Sequence, residues 1–401
     1  MATLLLALTL LSLVAAGIIV AGNMVPITLL DSAVARGAVC LDGTPPAYAY
    51  SPGFGDGVDN WHVYLQGGGW CENSSSCLDR STTLQGSSAK LKNGNEQLNG
   101  MLDDNSTFNP DFYNWHVFKI FYCDGSSFMS DVEDVDPKHN LTYRGARIYD
   151  AMMDELLRIG MGNAKNALLS GSSAGGLATI LHCDKFQALF HNTTRVKCLS
   201  DSGFFIHGEH FVGADWREAF FFDVVSEHGL MNTLPTSCIS KFSPTLCLFP
   251  ENVVPDIQTP LLLIESAFDM YQISENLYSP GDRSPRWYNC THNLMFCNWI
   301  EIKIMKDFRY TFINTLKSTI KNSSSRRGYF VHSCYQHGHM EYKRGSTCSL
   351  FVGNGLANKT IGQAVGDWFF DRSEFQEMDM LNDLPRDCNG FDDQPTLEKK
   401  V

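Results

Sequence analysis

Apolar segments of two kinds alternate along the chain from about residue 60 to residue 370. Short continuous runs rich in β-branched and aromatic residues predict buried strands: Trp61–Leu65, Trp115–Tyr122, Ala167–Leu169, Val196–Leu199, Leu261–Ile264 and Tyr329–Val331. Longer segments with apolar residues at helical spacing predict helices: Ala146–Ile159, Gly175–Phe190, Phe308–Ile320 and Ile361–Phe370. This alternation indicates an α/β fold, a mainly parallel sheet flanked by helices. No break in composition divides it, so we expect one domain with long loops.

The N-terminal 22 residues form an uncharged and largely apolar segment. Such a segment followed by small residues is typical of a signal peptide, although its apolar run is long enough for an uncleaved membrane anchor. We therefore expect a signal peptide over residues 1–22 and a domain over residues 23–401, with its core at about 36–390. The expected location is extracellular, without membrane attachment after cleavage.

Composition supports export and excludes one class of partner. The 401 residues carry a net charge of −13, which disfavours nucleic-acid binding. Thirteen cysteines predict disulfides formed in an oxidising compartment. The expected pairs are Cys71–Cys77, Cys183–Cys198, Cys238–Cys247, Cys290–Cys297 and Cys334–Cys348. Candidate N-glycosylation sites are Asn73, Asn105, Asn140, Asn192, Asn289, Asn322 and Asn358.

The strongest local signal is a glycine-flanked serine between a predicted strand and a predicted helix. Gly171, Ser173 and Gly175 match the Gly-x-Ser-x-Gly nucleophile elbow, and the strand–turn–helix context is the one it requires. The sharp turn needs small neighbours and lifts the hydroxyl towards the N-terminus of the helix, which stabilises negative charge. Ser173 is the predicted nucleophile. The neighbouring Ser172 is the rival hydroxyl, but it does not occupy the middle position.

A second glycine motif follows the first predicted strand: Gln66-Gly67-Gly68-Gly69-Trp70. A glycine loop at this position can aim backbone N–H groups at the negative oxygen of a tetrahedral intermediate. The expected donors are the backbone N–H groups of Gly68, Gly69, Trp70 and Ala174. A phosphate-binding loop is disfavoured because no Lys-Ser/Thr pair follows.

A nucleophilic serine needs a histidine base and a carboxylate that orients it. Asp269 lies just beyond the predicted strand Leu261–Ile264 and is the expected acid, with Glu265 as its rival. Three histidines, His332, His337 and His339, follow the strand Tyr329–Val331. The periodicity of this segment favours His337 as the base only slightly over His339 and His332. A metal site is the alternative use of these histidines, but further ligands are not evident.

Taken together, the motifs resemble those of plant-type pectin acetylesterases and, more distantly, Notum carboxylesterases, over about residues 25–390. The segments that carry the resemblance are Gly37–Gly43, Leu65–Cys71, Asn109–Trp115, Tyr122–Gly125, the Ser173 elbow, Cys198–Asp201, Phe249–Pro255 and Ala364–Phe369. The resemblance implies an α/β-hydrolase-like serine esterase that removes O-acetyl groups from cell-wall pectin without a metal or other cofactor. It also implies the roles of Ser173, Asp269 and His337, and it favours His337 over His339.

The chain departs from the family pattern near the expected site. Ser172 and Gly338 stand where the family usually has cysteine, and Met270-Tyr271 replaces the usual Ser-Trp. The change at Gly338 would leave a thiol without its family partner. None of these changes removes a catalytic group, but they put the substrate preference in question.

Pectin is a polyanion, so an acidic enzyme needs a local cationic groove to bind it. Candidate substrate-binding residues are Arg80, Arg144, Arg283 and Arg286, although any single arginine of this kind is more often a solvated surface charge. The expected partner is acetylated pectin, bound by a monomer. Two alternatives are a Notum-like deacylase of fatty acyl groups and a non-catalytic carbohydrate-binding protein on a hydrolase fold.

Overall fold

A ten-stranded sheet forms the centre of the molecule. The computed structural model describes residues 23–323, 327–341 and 359–388; the expected signal peptide, Cys348 and Asn358 lie outside these ranges. The strands are β1 (Asn23–Leu29), β2 (Ala47–Ser51), β3 (Asn60–Leu65), β4 (Asn95–Leu98), β5 (His116–Ile120), β6 (Asn166–Ser172), β7 (Arg195–Asp201), β8 (Leu261–Ser266), β9 (Arg327–His332) and β10 (Gln376–Met378).

The strand order is β10-β9-β8-β7-β6-β3-β5-β2-β1-β4. From β10 to β5 all neighbours are parallel, whereas β2, β1 and β4 add an antiparallel edge. The predicted mainly parallel sheet is thus confirmed, and the six predicted strands are β3 and β5–β9. The antiparallel edge was not predicted, because Pro26 interrupts the apolar residues of β1, in which only Val25 is buried, and β4 is mostly polar.

Two hydrophobic cores cover the two faces of the sheet. In β8, Leu261 and Leu263 join one core, and Leu262 and Ile264 join the other. This alternation follows from the two-residue period of a strand, and it explains why the central strands are largely apolar on both faces.

Helices cover one face much more than the other. The helices are α1 (Ser74–Ser81), α2 (Gly145–Arg158), α3 (Ala174–Gln187), α4 (Ala214–Glu227), α5 (Thr236–Ile239), α6 (Pro285–His292), α7 (Trp299–Lys321) and α8 (Ile361–Phe369). Buried residues of α2, α3, α4 and α7 belong to the larger core, whereas α8 packs on the opposite core. The four predicted helices correspond to α2, α3, the C-terminal part of α7, and α8.

Six disulfides link the loops and elements: Cys40–Cys123, Cys71–Cys77, Cys183–Cys198, Cys238–Cys247, Cys290–Cys297 and Cys334–Cys388. Four of the five expected pairs are confirmed. The expected Cys334–Cys348 pair is wrong, because the chain after α8 returns to β9 and brings Cys388 to Cys334. Cys40–Cys123 was not predicted, because its partners are 83 residues apart and meet only through the fold. The thirteenth cysteine, Cys348, lies outside the described ranges.

The remaining surface features concern glycosylation and membranes. Of the candidate glycosylation sites within the described ranges, Asn105 is half-buried and Asn73, Asn140, Asn192, Asn289 and Asn322 are exposed. Among the helices of those same ranges, none combines the length and apolarity that a membrane span requires.

Candidate active site

Ser173 occupies a strained turn between β6 and α3. Its backbone has φ 59° and ψ −125°, in the left-handed half of φ space that non-glycine residues rarely adopt. A Cβ at Gly175, the second residue of the following helix, would collide with the carbonyl oxygen of Leu65 at the end of β3, so only glycine fits at this position. The elbow predicted from the sequence is confirmed as a local structure.

The glycine loop after β3 packs directly on this elbow. A Cβ at Gly67 would lie 3.0 Å from the Cβ of Ser173 and closer still to the carbonyl oxygen of Ser172. Gly68 has φ +148° and Gly69 φ +68°, conformations that favour glycine. The two glycine motifs, about 100 residues apart in the sequence, therefore form one compact unit, because β3 and β6 are neighbours in the sheet.

His337 lies between Ser173 and Asp269 and contacts both. Its Nε2 is 2.7 Å from the Oγ of Ser173, and its Nδ1 is 2.7 Å from the Oδ2 of Asp269. The carboxylate of Asp269 is fully buried, and its Oδ1 accepts a 2.8 Å hydrogen bond from the backbone N–H of Gln272. Donation from Nδ1 to the carboxylate leaves Nε2 free to accept the proton of the serine hydroxyl.

The electrostatic environment favours a protonated His337 more than water does. Burial lowers the pKa of His337, but the charge and hydrogen bond of Asp269, together with the charge of Asp201, raise it overall above its ordinary value of 6.5. The carboxylates thus stabilise the imidazolium that forms when His337 takes a proton.

The residues considered as rivals for the three catalytic roles make other contacts. Ser172 donates a 2.6 Å hydrogen bond to Asp201, and Glu265 accepts hydrogen bonds from the backbone N–H groups of Gly203 and Phe204. His339 and His332 contact each other through their Nε2 atoms at 2.7 Å, behind the elbow.

The carbonyl groups of the glycine loop are held on one side. Arg80 donates a 2.9 Å hydrogen bond to the carbonyl of Gly68, and Tyr122 donates a 2.8 Å bond to that of Gly69. Because a peptide group is planar and trans, these bonds turn the N–H groups of Gly69 and Trp70 to the opposite side. Among the described residues, no acceptor takes the N–H groups of Gly68, Gly69, Trp70 or Ala174. Sequence reasoning missed Tyr122, whose role depends on a contact between distant segments.

Aromatic rings surround the serine. Tyr271 stacks on the ring of His337 at 5.2 Å, and Phe205 meets both Tyr271 and Trp70 edge-on at 6.0 and 5.0 Å. The hydroxyl of Tyr271 lies 3.8 Å from the position that a Cβ on Gly69 would take. Burial raises the pKa of Tyr271 to about 12, with smaller contributions from neighbouring carboxylates, so its hydroxyl stays protonated. These rings form a wall beside the glycine loop.

Four arginines were expected to bind substrate, and each contacts protein acceptors. Arg80 holds the glycine loop, and its guanidinium lies 4.9 Å from the ring centre of Tyr122. Arg144 is buried and bonds the carbonyl of Glu133. Arg283 bonds both the carboxylate and the carbonyl of Glu275, and Arg286 bonds Glu301 at 3.1 Å.

Two groups of side chains have the spacing of metal ligands: Cys71, Cys77 and His228, and Cys290, Cys297 and Glu301. In both groups the cysteines are joined in a disulfide. A disulfide sulfur is not the thiolate that binds zinc, so neither group has the chemistry of a metal site.

Fold and site together define a class of protein. A serine at a strand–helix elbow, hydrogen-bonded to a histidine that a buried aspartate orients, is the arrangement of serine hydrolases of the α/β type. The pectinacetylesterase family model matches residues 19–390. The chain belongs to this family, and it is a carboxylic ester hydrolase. The resemblance inferred from the motifs is confirmed.

Relatives of two kinds are similar to the chain. Pectin acetylesterase 11 of Arabidopsis thaliana is 44% identical over 386 residues, which cover 96% of this chain and 95% of that protein. Pectin acetylesterase 7 of the same plant is 46% identical and covers 92% and 93%. More distantly, palmitoleoyl-protein carboxylesterase notum1a of Danio rerio is 29% identical over 60% of this chain and 50% of that protein.

The fold has a counterpart among solved structures. The Wnt deacylase Notum from Drosophila superposes with a TM-score of 0.73 at 20% sequence identity, covering 89% of this chain and 97% of that one. At this level of identity the similarity shows the fold alone, and it confirms the predicted single-domain α/β architecture.

Proposed function

We propose that the protein hydrolyses O-acetyl esters of cell-wall pectin and releases acetate, with Ser173 as nucleophile, His337 as general base and Asp269 as the orienting acid. The observation that carries the proposal is the position of His337, 2.7 Å from both Ser173 and Asp269. A non-catalytic hydrolase-fold protein has no need for this linked arrangement. No metal or other cofactor takes part in the proposed chemistry.

In the first half-reaction, the Oγ of Ser173 attacks the acetyl carbonyl carbon while its proton moves to Nε2 of His337. The carbonyl oxygen gains the negative charge and lies among the N–H groups of Gly69, Trp70 and Ala174, with Gly68 beside them. His337 then gives the proton to the sugar oxygen as the ester bond breaks. The products are a free sugar hydroxyl and an acetyl group on Ser173.

In the second half-reaction, water replaces the sugar. His337 takes a proton from the water molecule, and the oxygen attacks the acetyl group under the same donors. Collapse of the second intermediate returns the proton to the Oγ of Ser173 and releases acetate. The net reaction consumes one ester bond and one water, and it needs no oxidant or reductant.

The aromatic wall supports a small acyl group. Tyr271 lies against His337 on one side and approaches Gly69 on the other, so its ring takes up space next to the proposed oxyanion donors. Phe205 and Trp70 continue this wall and are themselves buried. An acetyl group is the smallest common acyl substituent of polysaccharides and needs little room there. This argument favours pectin deacetylation over the fatty-acyl reaction named for the Notum relatives.

The proposal includes secretion of the protein to the cell wall. Six disulfides are expected only in an oxidising compartment, and five candidate glycosylation sites are exposed. Together with the apolar N-terminal segment, they support an extracellular protein that meets its polymeric substrate in the cell wall.

The test uses Ser173→Ala with Ser237→Ala, an exposed serine on α5, as the matched control. Acetate release from acetylated pectin should be lost in the first variant and unchanged in the second, with the same thermal unfolding in both. A fluorophosphonate probe should label Ser173 in the control, as located by peptide mass spectrometry. Acetate release by Ser173→Ala at the normal rate contradicts the proposal.

A further inference from the structure

A second buried network lies directly behind the elbow and has no part in the mechanism above. It consists of Asp201 at the end of β7, His339 two residues after the proposed base, and His332 at the end of β9. All three are essentially inaccessible to solvent. Buried polar groups of this kind are costly unless every one is hydrogen-bonded, so their contacts define what the network does.

Asp201 is the centre of the network. Its Oδ2 accepts hydrogen bonds from the hydroxyl of Ser172 (2.6 Å) and from the backbone N–H groups of His339 (2.7 Å) and Met340 (2.9 Å). Its Oδ1 is 2.6 Å from Nδ1 of His339, and its backbone carbonyl accepts the N–H of Ser173 at 2.8 Å. One residue thus binds both sides of the proposed site: the elbow, and the loop that carries His337.

The hydrogen bonds fix where the protons are. The backbone N–H of Cys334 donates to Nδ1 of His332 at 3.1 Å, so a neutral His332 carries its proton on Nε2 and donates it to Nε2 of His339. His339 therefore carries its own proton on Nδ1 and donates it to Asp201. Burial lowers the pKa of His332 well below its usual range, assisted by the nearby His339 and Arg386, which keeps this direction of donation.

Asp201 is therefore an ionised carboxylate. Burial opposes ionisation, but His339, the hydroxyl of Ser172 and the backbone N–H of His339 together lower the pKa of Asp201 to about 2. The hydroxyl of Ser202 donates a further bond to Oδ1 at 3.3 Å, so the carboxylate has five donors. Such a buried negative charge holds its ligands firmly, because any donor that moves away leaves part of that charge unsatisfied.

A second contact supports the same loop. Ser202, the residue after Asp201, has a left-handed backbone (φ 51°). Its hydroxyl oxygen accepts a 2.9 Å hydrogen bond from the backbone N–H of Gly338. Residues 338–340 are thus bound at three consecutive backbone N–H groups by Asp201 and Ser202. This fixes the loop immediately after His337.

From this geometry we infer that Asp201 is a positioning residue that fixes His337 against Ser173 by binding the elbow and the 338–340 loop together, with His339 and His332 orienting its donors. The inference rests on the proposed function of Ser173 and His337. It gives His332 and His339 a role in orienting the base, in place of the metal binding considered from their spacing.

Removing the negative charge of Asp201 should change two measurable properties of the enzyme. Loosening the loop misplaces the imidazole, and a displacement of about 1 Å lowers kcat about 100-fold. Removing the charge also alters the titration of the base, because Asp201 is one of the groups that raise the pKa of His337. The other titratable groups around the site are Asp269 and Tyr271, with Glu265 behind the carboxylates and His339 and His332 behind Asp201.

The test is the pH dependence of kcat/KM for an aryl acetate in Asp201→Asn, with active sites counted by fluorophosphonate labelling. The acidic limb should move to lower pH than in the unmodified protein, and kcat per labelled site should fall about 100-fold. Two control variants should leave the acidic limb of the pH profile where it is in the unmodified protein. One is Ser200→Ala, one residue earlier on β7. The other is Glu265→Gln, because burial raises the pKa of Glu265 well above its usual range, so that its carboxyl group is already uncharged. A limb that stays in place in Asp201→Asn overturns the inference.

If Asp201→Asn fails to fold, His339 provides a second test. Asparagine at this position can still donate to Asp201 in place of the histidine Nδ1, whereas alanine cannot. We expect His339→Ala to lower kcat about tenfold or more and His339→Asn to recover most of that loss; equal loss in both overturns the inference. Normal activity of Ser173→Ala instead contradicts the proposed function itself, so the two failures are distinguishable.

Discussion

Gly67→Ala tests whether the glycine loop must touch the elbow. The position has an ordinary negative φ, so alanine strains nothing in the backbone itself. The added Cβ would lie 3.0 Å from the Cβ of Ser173 and nearer still to the carbonyl oxygen of Ser172, whereas ordinary contacts begin at 3.4 Å. Both neighbours are backbone or near-backbone atoms, so the loop itself must move.

The required movement sets the size of the effect. Clearing the carbonyl oxygen needs a shift of about 1 Å, and the proposed donors on Gly68, Gly69 and Trp70 shift with the loop. Loss of a single oxyanion donor costs about 10²–10³ in kcat, which matches the cost of such a misplacement. We therefore expect kcat for an aryl acetate to fall about 100-fold, with KM changed much less.

The assay is steady-state hydrolysis of nitrophenyl acetate, normalised to labelled active sites and accompanied by thermal unfolding. Gly281→Ala is the matched control, because a Cβ there meets no atom within 4 Å and the glycine has no positive φ. If Gly67→Ala is folded and keeps kcat within about threefold of the control, the loop does not act through its contact with the elbow.

Because the pKa of His337 is raised, the pH–rate profile of the unmodified protein should show kcat/KM falling on acidification with a midpoint above pH 6.5. Asp269→Asn should lower kcat about 10⁴-fold, as its own pH–rate profile will show. Tyr271→Ala should raise activity on butyrate and octanoate relative to acetate at least about tenfold in a nitrophenyl ester series; an unchanged ratio contradicts the aromatic wall. Arg80→Met should lower kcat on an aryl acetate up to about 100-fold by freeing the Gly68 carbonyl, whereas a higher KM confined to pectin would assign Arg80 to substrate binding.

Local sequence predicted those features that depend on a few consecutive residues. The strand before Ser173, the flanking glycines and the helix after it form a pattern that is complete within a short stretch of sequence, although the space beside Gly175 is filled by Leu65 of β3. Apolar runs likewise predicted β3 and β5–β9, because strands buried on both faces have few polar positions to interrupt them. The short-range disulfides Cys71–Cys77 and Cys238–Cys247 were predicted for the same reason.

Features that join distant segments were predicted poorly. The outermost strand β4 is polar at three of its four positions and resembles a loop in composition, and β1 beside it is interrupted by Pro26. Cys388 reaches Cys334 only because β10 pairs with β9, and no spacing rule distinguishes it from Cys348. The candidate substrate-binding arginines were chosen by charge and by their positions in loops or next to motifs, and the contacts of three of them with Glu133, Glu275 and Glu301 became evident only in the structure.

The sequence by itself determined the α/β class, the elbow around Ser173 and the glycine loop, because each depends on a period or a turn that neighbouring residues impose. The position of Asp269 just beyond an apolar strand made it the expected acid, whereas resemblance to a family was needed to choose His337 over His339. Only the tertiary structure decided how three neighbouring histidines divide their contacts: His337 faces Ser173, and His339 faces Asp201. The reason is the parallel sheet, which brings the ends of β6, β7, β8 and β9 to one edge and so joins residues that are up to 164 positions apart.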